Sequence, residues 1–359
     1  MKNKQIEYCI VSCLFDVEGG YREAVLYRAL AVTNVPVRVI TAHDPGSRGP
    51  RTERLNITMC RTLIKYANSY VAFARRPARE VYKVLITSDA RQLFTVWMAL
   101  FLSSKETKVV YEHEQRSEGL SWKGKLFSRL LVNPLIRIIA NRADIIRVAN
   151  ELSGAYLRKV SPANSHKVIE VPLAVDTNIF NTNNKRRSWS SLRVAWSGKN
   201  AYGKNFSLIT SAILALPPLI REAIQLTVVT NENVDLGPLA NQSTIMPLQP
   251  NDRLAEVFRS CDVTIWTTPT QSYFESAACG NYVICPSSGI TRDIETYTDS
   301  FLPINVKCNE QGLALKTQEN IQRYTSAIEK IYWIILANKS VREYKLDGSK
   351  YLSIIQNTI

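Results

Sequence analysis

The hydrophobic positions fall into short runs rich in β-branched residues, which alternate with longer stretches whose apolar residues recur every three or four positions. The short runs predict strands and the longer stretches predict helices. The predicted strands are Glu7–Leu14, Val37–Thr41, Val84–Thr87, Lys108–Tyr111, Asp144–Val148, Val168–Val171, Leu192–Trp196, Leu226–Thr230, Val263–Trp266 and Tyr282–Cys285. The predicted helices are Tyr21–Val32, Leu55–Ala74, Leu93–Leu102, Leu126–Asn141, Leu152–Val160, Asn205–Leu216, Asp252–Ser260, Tyr273–Cys279 and Asn320–Ala337. Because strands alternating with helices form βαβ units, the pattern predicts parallel sheets with helices on both faces.

One stretch without apolar periodicity interrupts this alternation. Asp176–Ser191 is rich in Asn and Ser and contains several basic residues, which is typical of a linker. We therefore predict two doubly wound, Rossmann-like α/β domains that face each other across a cleft. They comprise residues 1–180 and 192–338, joined by a linker at 181–191 and followed by a tail, 339–359, that packs back on the N-terminal domain. In doubly wound sheets ligands bind at the carboxyl ends of the strands.

The composition is that of a globular protein, with 45% hydrophobic and 21% charged residues among 359. It excludes a disordered chain, a collagen-like fibre and a small disulfide-stabilised domain. The longest apolar run, Leu93–Leu102, is shorter than the roughly 18 residues that cross a bilayer. The N-terminus has some features of a signal peptide, but Glu7 interrupts the apolar stretch and no small-residue cleavage site follows it. We interpret this stretch as a buried first strand.

The seven cysteines form no CxxC pair and have no histidine at metal-binding spacing. We therefore expect reduced thiols in a cytoplasmic protein, rather than disulfides or a zinc site.

Positive charge is concentrated in the first half of the chain. Residues 1–180 contain 27 Lys and Arg against 16 Asp and Glu, whereas residues 181–359 contain 18 against 15, for a net charge of +14. A basic half indicates an anionic partner, which is phospholipid, nucleic acid or a phosphorylated substrate. A basic surface that only maintains solubility is the alternative.

Two predicted strand-to-helix turns contain glycine. Gly19 and Gly20 follow the first strand, and they allow the backbone N–H groups of the next helix to approach an anion or a sugar hydroxyl. The alternative is a turn that only requires positive φ. In the second half, Gly198 is followed by Lys199 and Lys204 at a helix start, where two ammonium groups suit a diphosphate. A solvated basic loop is the alternative. Neither turn matches the dinucleotide or Walker A pattern.

A third candidate segment, Thr267–Gly280, follows the predicted strand Val263–Trp266. Glu275 lies among small residues at the start of its helix. A carboxylate there either caps the helix or accepts hydrogen bonds from two hydroxyls, such as those of a ribose.

The segment Phe274–Cys285 resembles the LEAMACGxPVI segment of the family 4 (group 1) glycosyltransferases, which have the GT-B fold. Four further landmarks are similar to the family and occur in its order. They are the Gly19–Gly20 turn, Val171–Phe180 (similar to PNGVDTxxF), Gly198 with Lys199 and Lys204 (similar to GRLxxxKG), and Ser288–Ile294 (similar to GGIPEVI).

This resemblance implies a hexosyltransferase that moves a sugar from a nucleotide-diphosphate sugar to a hydroxyl of a glycan or lipid-linked acceptor. Retention of configuration and independence of metals and other cofactors are implied as well. Lys199 and Lys204 would hold the diphosphate and stabilise the departing nucleotide. Glu275 would accept the ribose hydroxyls, and Tyr273 and Phe274 would contribute backbone near the phosphates. The loop Thr244–Leu248 is expected to contact the base.

His113 follows the predicted fourth strand, where family members often place a histidine facing the donor sugar. It would bind a sugar hydroxyl or share in proton movement, or it is a buried structural histidine. The chain departs from the family at Thr267, where the E-x7-E motif has its first acid, which generally serves the donor sugar. A catalytically degenerate GT-B protein that acts as a nucleotide-binding or scaffold subunit is therefore the alternative function. An epimerase or phosphorylase of the same fold is a further alternative.

The segment Leu120–Ile139 mixes Trp, Phe and Leu with four basic residues. Such a basic amphipathic helix either lies on an anionic bilayer or simply covers the N-terminal sheet. We expect peripheral association with the inner face of a membrane. Nucleic-acid binding is not expected, because the chain has no RNA-recognition motif or basic–aromatic stripe.

Overall fold

The structure of the chain is a computed structural model. It describes residues 6–12, 37–41, 57–59, 62–66, 69–72, 82–88, 93–113, 128–149, 151–185, 191–198, 201, 203–268, 270–287, 301–309, 313–337, 349–350 and 353–354. Its contacts divide the chain into two compact units, residues 1–174 with 347–359 and residues 175–346.

The first unit contains a seven-stranded sheet in the order β3-β2-β1-β6-β7-β8-β9, in which every neighbouring pair is parallel. The strands are β1 (Ile6–Ser12), β2 (Val37–Thr41), β3 (Ile57–Met59), β4 (Thr62–Tyr66), β5 (Ser69–Ala72), β6 (Tyr82–Ser88), β7 (Lys108–His113), β8 (Ile145–Val148) and β9 (Val168–Glu170). The runs of consecutive apolar residues in β1, β6, β7 and β8 are buried, as expected for parallel strands covered on both faces.

The helices of the first unit that the structure describes are α1 (Leu93–Leu102), α2 (Asn133–Arg142) and α3 (Glu151–Val160), with a π-helical turn at Ser128–Val132 and a 3-10 helix at Pro162–Lys167. Their apolar faces pack with β1, β6, β7 and β8 in one core. Pro134 lies in the first turn of α2 rather than kinking it, because the missing N–H of proline costs nothing there.

The second unit contains a six-stranded sheet in the order β12-β11-β10-β13-β14-β15, again with parallel pairs. The strands are β10 (Leu192–Ser197), β11 (Ile224–Val229), β12 (Ser243–Met246), β13 (Val263–Ile265), β14 (Tyr282–Pro286) and β15 (Phe301–Ile304). The described helices are α4 (Phe206–Leu214), α5 (Pro218–Glu222), α6 (Asn251–Ser260), α7 (Ser272–Ala278) and α8 (Gln318–Leu336), with a 3-10 helix at Gly237–Gln242. Two sheets of parallel strands with helices confirm the prediction of a Rossmann-like α/β fold.

The predicted helix at Leu55–Ala74 is wrong, because the structure has three strands there, β3, β4 and β5. The stretch is rich in Ile, Thr, Tyr and Val, whose branched and aromatic side chains favour extended backbone. β4 and β5 pair antiparallel, with Tyr66 opposite Ser69, so that only two residues connect them.

Two strands of the second sheet were not predicted, and both lie at its edges. β12 exposes Thr244 and Ile245, so it lacks the buried apolar run that identifies the central strands. β15 contains Pro303, a residue that sheets tolerate mainly at an edge. The predicted helix Tyr21–Val32 lies outside the described residues.

Phe180 and Lys185, which lie on either side of the start of the predicted linker, pack within the second unit. Phe180 is buried with its ring centroid 6.4 Å from that of Phe258. The Nζ of Lys185 donates hydrogen bonds to the Cys261 carbonyl at 2.8 Å and to Asn281 Oδ1 at 2.6 Å. Residues 186–190 lie outside the described residues.

Among the helices that the structure describes, none combines the length and the apolar character needed to cross a membrane.

Candidate functional site

The loop after β10 requires glycine at its first position. A Cβ atom on Gly198 would lie 2.7 and 2.8 Å from ring atoms of Trp196, which is buried against Phe206. The same Cβ position lies 3.4 Å from Cδ of Lys204. The half-buried stem of Lys204 therefore passes over Gly198, at the carboxyl end of β10. Lys199 lies outside the described residues.

Two side chains that follow β11 and β13, the strands on either side of β10, form hydrogen bonds with this loop. The Ala201 N–H donates a 2.7 Å hydrogen bond to the carboxylate of Glu232, which lies beyond the end of β11. The Thr267 hydroxyl, beyond the end of β13, donates a hydrogen bond to the Lys204 carbonyl. Neither Glu232 nor Thr267 was predicted to have this role, because the bonds join residues distant in sequence.

The loop turns into α4 at Asn205, whose φ of 50° is left-handed. Asparagine tolerates this conformation better than most residues, and here its side-chain amide also donates to the Ala314 carbonyl at 2.9 Å. The Ala314 N–H in turn donates to the Thr267 carbonyl at 2.8 Å. Loop, β13 and the segment before α8 are therefore joined by hydrogen bonds at one place.

Glu275 lies at the same edge of the sheet as this loop. It is 5% exposed in the first turn of α7, which begins a few residues after β13. β10 and β13 are parallel neighbours, with Val194 paired to Val263, so the segments that follow them leave from the same edge. The structure thus brings the Lys204 loop and the Glu275 segment together.

Hydrogen bonds among buried polar residues of β13, α7 and the segment after α7 fix the position of this helix. Ser276 Oγ lies 2.8 Å from Thr264 Oγ1, which also accepts from the indole N–H of Trp266 at 3.1 Å. Asn281 donates to Ser276 Oγ at 3.1 Å and accepts from Lys185. Networks of this kind hold a helix in one orientation. In the sequence, this network is indicated by Ser and Thr residues that lie within apolar stretches.

Tyr273 and Phe274 were predicted to contribute backbone to the phosphates. In the structure the Tyr273 N–H donates to the Thr270 carbonyl at 3.3 Å and the Phe274 N–H to the Gln271 carbonyl at 3.0 Å. Both rings are buried. Their predicted part in donor binding stays a prediction.

A cavity of about 450 Å³ lies beside β12, lined among others by Asn233, Asp235, Leu236 and Ile245. Ile245 lies in the segment Thr244–Leu248, which is expected to contact the base; the segment was predicted as a loop, but Thr244–Met246 belong to β12. Several of the residues that line it, including Asp235 and Ile245, are exposed, so the cavity is open to solvent.

His113, in the first unit, ends β7 and is 1% exposed. Its Nδ1 lies 2.8 Å from the Tyr111 hydroxyl, and its ring stacks on Tyr156 with centroids 5.9 Å apart. The Tyr156 hydroxyl donates to Asn133 Oδ1 at 2.6 Å. These are the contacts of a structural histidine, and a role at the donor sugar stays a prediction.

The remaining predicted residues of the first unit, Gly19 and Gly20, lie outside the described residues, as does the landmark Ser288–Ile294.

Among the cysteines that the structure describes, none forms a disulfide; they are Cys9, Cys261, Cys279, Cys285 and Cys308. Burial raises the pKa of Cys261 to about 11 and that of Cys279 to about 12, so both are protonated at neutral pH. Neither thiol is suited to act as a nucleophile. In the same described part of the chain, no group of three or more His, Cys, Asp or Glu side chains could hold a metal ion.

No protein-family model matches the chain, and a comparison with curated proteins finds no match. Solved structures do match over nearly its full length. A sucrose-phosphate synthase from Thermosynechococcus elongatus is 14% identical, covers 98% of both chains and has a TM-score of 0.59. A mutant of TarM from S. aureus, solved with fondaparinux, alpha-GlcNAc-glycerol and UDP, is 9% identical over 99% of both chains, with a TM-score of 0.59.

A protein from Listeria monocytogenes assigned as a UDP-N-acetylglucosamine 2-epimerase is 11% identical over 99% of this chain and 96% of its own, with a TM-score of 0.54. Other matching structures are glycosyltransferases. At such low identity the likeness shows the fold alone. It confirms the predicted GT-B fold, with two Rossmann-like units.

Proposed function

Because the chain has the fold of glycosyltransferases, we propose that it transfers a hexose from a nucleotide-diphosphate sugar to a hydroxyl group of an acceptor. The acceptor is a glycan or a lipid-linked sugar bound mainly by the basic first unit, and the reaction proceeds with retention and without a metal or other cofactor. The observation that supports this most is the meeting of the Lys204 loop with the Glu275 segment at the carboxyl edge of the second sheet.

The chemistry that these residues provide is mainly electrostatic. When the bond between the anomeric carbon and the phosphate oxygen breaks, negative charge develops on the departing nucleoside diphosphate. The ammonium groups of Lys199 and Lys204 stabilise that charge, since preorganised charges act most strongly where charge develops. Glu275 accepts hydrogen bonds from the ribose hydroxyls, and the cavity beside β12 receives the base.

Donor turnover tests this function. Nucleotide sugars that raise the melting temperature are first selected from a panel, and their turnover is then measured. Lys204→Ala and Glu275→Ala should each lower the rate by about a hundredfold or more, because one charged or hydrogen-bonding group at such a site is worth that much. The control is Lys330→Ala, which removes an exposed lysine of α8 in the same unit. Wild-type rates in both site variants would refute the assignment.

A second candidate function is a nucleotide-binding or scaffold subunit without transfer activity. It is favoured by Thr267, which replaces the acid of the E-x7-E motif and whose hydroxyl is bonded to the Lys204 carbonyl. Calorimetry separates the two functions, since binding of nucleoside diphosphates without turnover of any donor supports the subunit.

Exposed apolar side chains of the first unit support the proposal that it binds an anionic membrane. α1 and α2 expose Leu100, Phe101 and Ile138, and the π-helical turn exposes Leu130, with exposed Arg129 beside it. Apolar and basic side chains together bind bilayers that contain anionic lipid. We place the protein in the cytoplasm, bound peripherally to the inner face of a membrane.

A further inference from the structure

Thr267 is fixed at both its backbone and its side chain. It is 1% exposed, directly after β13 and Trp266. Its carbonyl accepts the 2.8 Å hydrogen bond from the Ala314 N–H, and its hydroxyl donates to the carbonyl of Lys204. The hydroxyl therefore connects the end of a central strand to the loop that contains the candidate diphosphate lysine.

The bonded carbonyl lies where the loop reverses. Lys204 is followed by Asn205 in a left-handed conformation, which is unfavourable for a residue other than glycine unless its surroundings stabilise it. Two hydrogen bonds provide that stabilisation, one from Thr267 to the Lys204 carbonyl and one from Asn205 to Ala314. Because Lys204 precedes the strained residue, the peptide orientation at this turn determines where the lysine side chain leaves the backbone.

The chemistry of the hydroxyl also explains why an acid would not serve at this place. A carbonyl oxygen can only accept a hydrogen bond, and an ionised carboxylate has no proton to donate. A glutamate at position 267 would therefore repel the Lys204 carbonyl, whereas threonine donates to it. The departure from the E-x7-E motif therefore coincides with a hydrogen bond from Thr267 to the loop.

From these contacts we propose that Thr267 is a positioning residue for diphosphate binding: its hydroxyl holds the Lys204 backbone so that the ammonium group faces the diphosphate, and it does not serve the donor sugar. This inference rests on the proposed nucleotide-sugar site. It assigns to Thr267 an effect on the diphosphate part of the donor, which is present in the nucleoside diphosphate without any sugar.

The test measures calorimetric binding of uridine, guanosine, adenosine and cytidine 5′-diphosphates, and of the corresponding nucleosides, to the full chain. Thr267→Val keeps the shape and removes the hydroxyl, and Thr267→Ser keeps the hydroxyl. We expect Thr267→Val to weaken binding of the preferred diphosphate by about fivefold to tenfold, as loss of one hydrogen bond with a carbonyl left unsatisfied implies. Thr267→Ser should bind like the wild type.

The matched control is Thr325→Val. The Thr325 hydroxyl lies 2.9 Å from the Ala212 carbonyl in α4 and 2.8 Å from the Ile321 carbonyl in α8, so this variant also loses hydroxyl-to-carbonyl hydrogen bonding in the same unit. It should lower the melting temperature to a comparable extent but leave diphosphate binding unchanged. If Thr325→Val weakens binding as much as Thr267→Val, the effect is general destabilisation and the inference is overturned.

Three further outcomes, the last of them measured with the corresponding nucleotide sugars, separate this inference from the proposed function. If the wild type binds none of the four diphosphates, the proposed function fails and Thr267 has no diphosphate to position. If the wild type binds one of them and Thr267→Val binds it equally well, only the positioning role fails. The same holds if Thr267→Val weakens sugar-bearing donors but not the bare diphosphate, because Thr267 would then serve the sugar.

Discussion

At the scale of single residues, Gly198 and Gly154 differ in whether the surrounding side chains leave room for alanine, although charged side chains lie near both. Gly198 faces the ring of Trp196, which is buried and cannot move without disturbing the core. Gly154, within α3, faces the ends of Glu170 and Arg158, which lie 2.8 and 3.1 Å from the place that an alanine Cβ would take. These flexible ends can move aside.

Gly198→Ala should therefore destabilise the protein by about 1–3 kcal/mol, as overpacking of a core does, and should weaken diphosphate binding through Lys204. Gly154→Ala should be neutral or stabilising by up to about 1 kcal/mol, since alanine favours helix. Urea denaturation of both variants measures the difference. If Gly198→Ala and Gly154→Ala were equally stable, the Trp196 ring would move aside at little energetic cost and the prediction would be contradicted.

Lys185 makes the stability depend on pH. Burial lowers the pKa of Lys185 from 10.5 to about 8, with nearby Asp262 opposing the shift. Between these values the unfolded chain binds the proton and the folded chain releases it, so stability from this group rises with pH across that window. Below pH 8 the lysine is charged in both states and the dependence disappears.

Lys185→Met should remove this contribution. Its free energy of unfolding should fall behind that of the wild type by up to about 1 kcal/mol for each pH unit above 8, because one proton is involved. Urea midpoints at pH 7.5, 8.5 and 9.5 measure the slope, with Lys330→Met as the control for loss of an exposed lysine. Parallel slopes in Lys185→Met and the wild type would contradict the prediction.

At the scale of elements, an ion pair joins the two strands that carry the candidate site. The guanidinium of Arg193 in β10 donates to both oxygens of Asp262, at 3.0 and 2.9 Å, and the Arg193 N–H donates to the same carboxylate. Asp262 is buried, with a relative exposure of 6%. These contacts agree with its interpretation from sequence as a structural residue that precedes β13.

Asp262→Asn should lower the free energy of unfolding by about 3 kcal/mol, because it leaves a partly buried guanidinium without its charge partner. The exposed pair of Arg253 and Glu256, at 2.8 Å, offers a comparison. Glu256→Gln should cost much less than Asp262→Asn, as exposed ion pairs contribute little. Chemical denaturation of both variants measures this, and similar losses would show that burial does not decide the strength of the pair.

The elements that sequence predicted best are those whose pattern reports burial directly. β1, β10 and β13 are short, largely apolar and rich in buried residues, and α8 is capped by Thr317, whose side chain accepts the N–H of Asn320. The hairpin of β4 and β5 was not predicted, because its apolar residues were interpreted by their helical spacing and not by their residue types, which favour strands.

For the site, residue types and local spacing indicated Gly198, Lys204 and Glu275. The bonds from Glu232 and Thr267 to the loop could not be predicted in this way, since they depend on the order of strands in the sheet. The buried contacts of His113 depend equally on α3, whose Tyr156 is distant in sequence. Patterns in a single sequence do not indicate which distant residues become neighbours in the folded protein.

At the scale of the whole molecule, exposed large apolar side chains occur in both halves of the chain, whereas the excess of positive charge is concentrated in the first. Leu130 is 63% exposed in the first unit, and Leu219 is 67% exposed in the second. Only the first unit has a large excess of positive charge. If anionic membranes are the partner, the two exposed leucines should differ in importance.

Leu130→Glu should reduce co-sedimentation with vesicles containing phosphatidylglycerol by severalfold, because it removes apolar contact and adds repulsion. Leu219→Glu should bind like the wild type. Raising the salt concentration should weaken binding of all three proteins, since the attraction is partly electrostatic. Equal binding of the wild type to neutral and anionic vesicles would contradict the membrane proposal.

The contacts of Phe180 and Lys185 within the second unit determine where the chain can be divided for separate study. A fragment starting at residue 186 would uncover the ring of Phe258 and take the ammonium group away from Asn281. A fragment starting at Val175 would retain both contacts. Anyone preparing the C-terminal half alone for calorimetry or crystallisation should therefore cut upstream of the Asn-rich stretch, even though its composition suggests a convenient break.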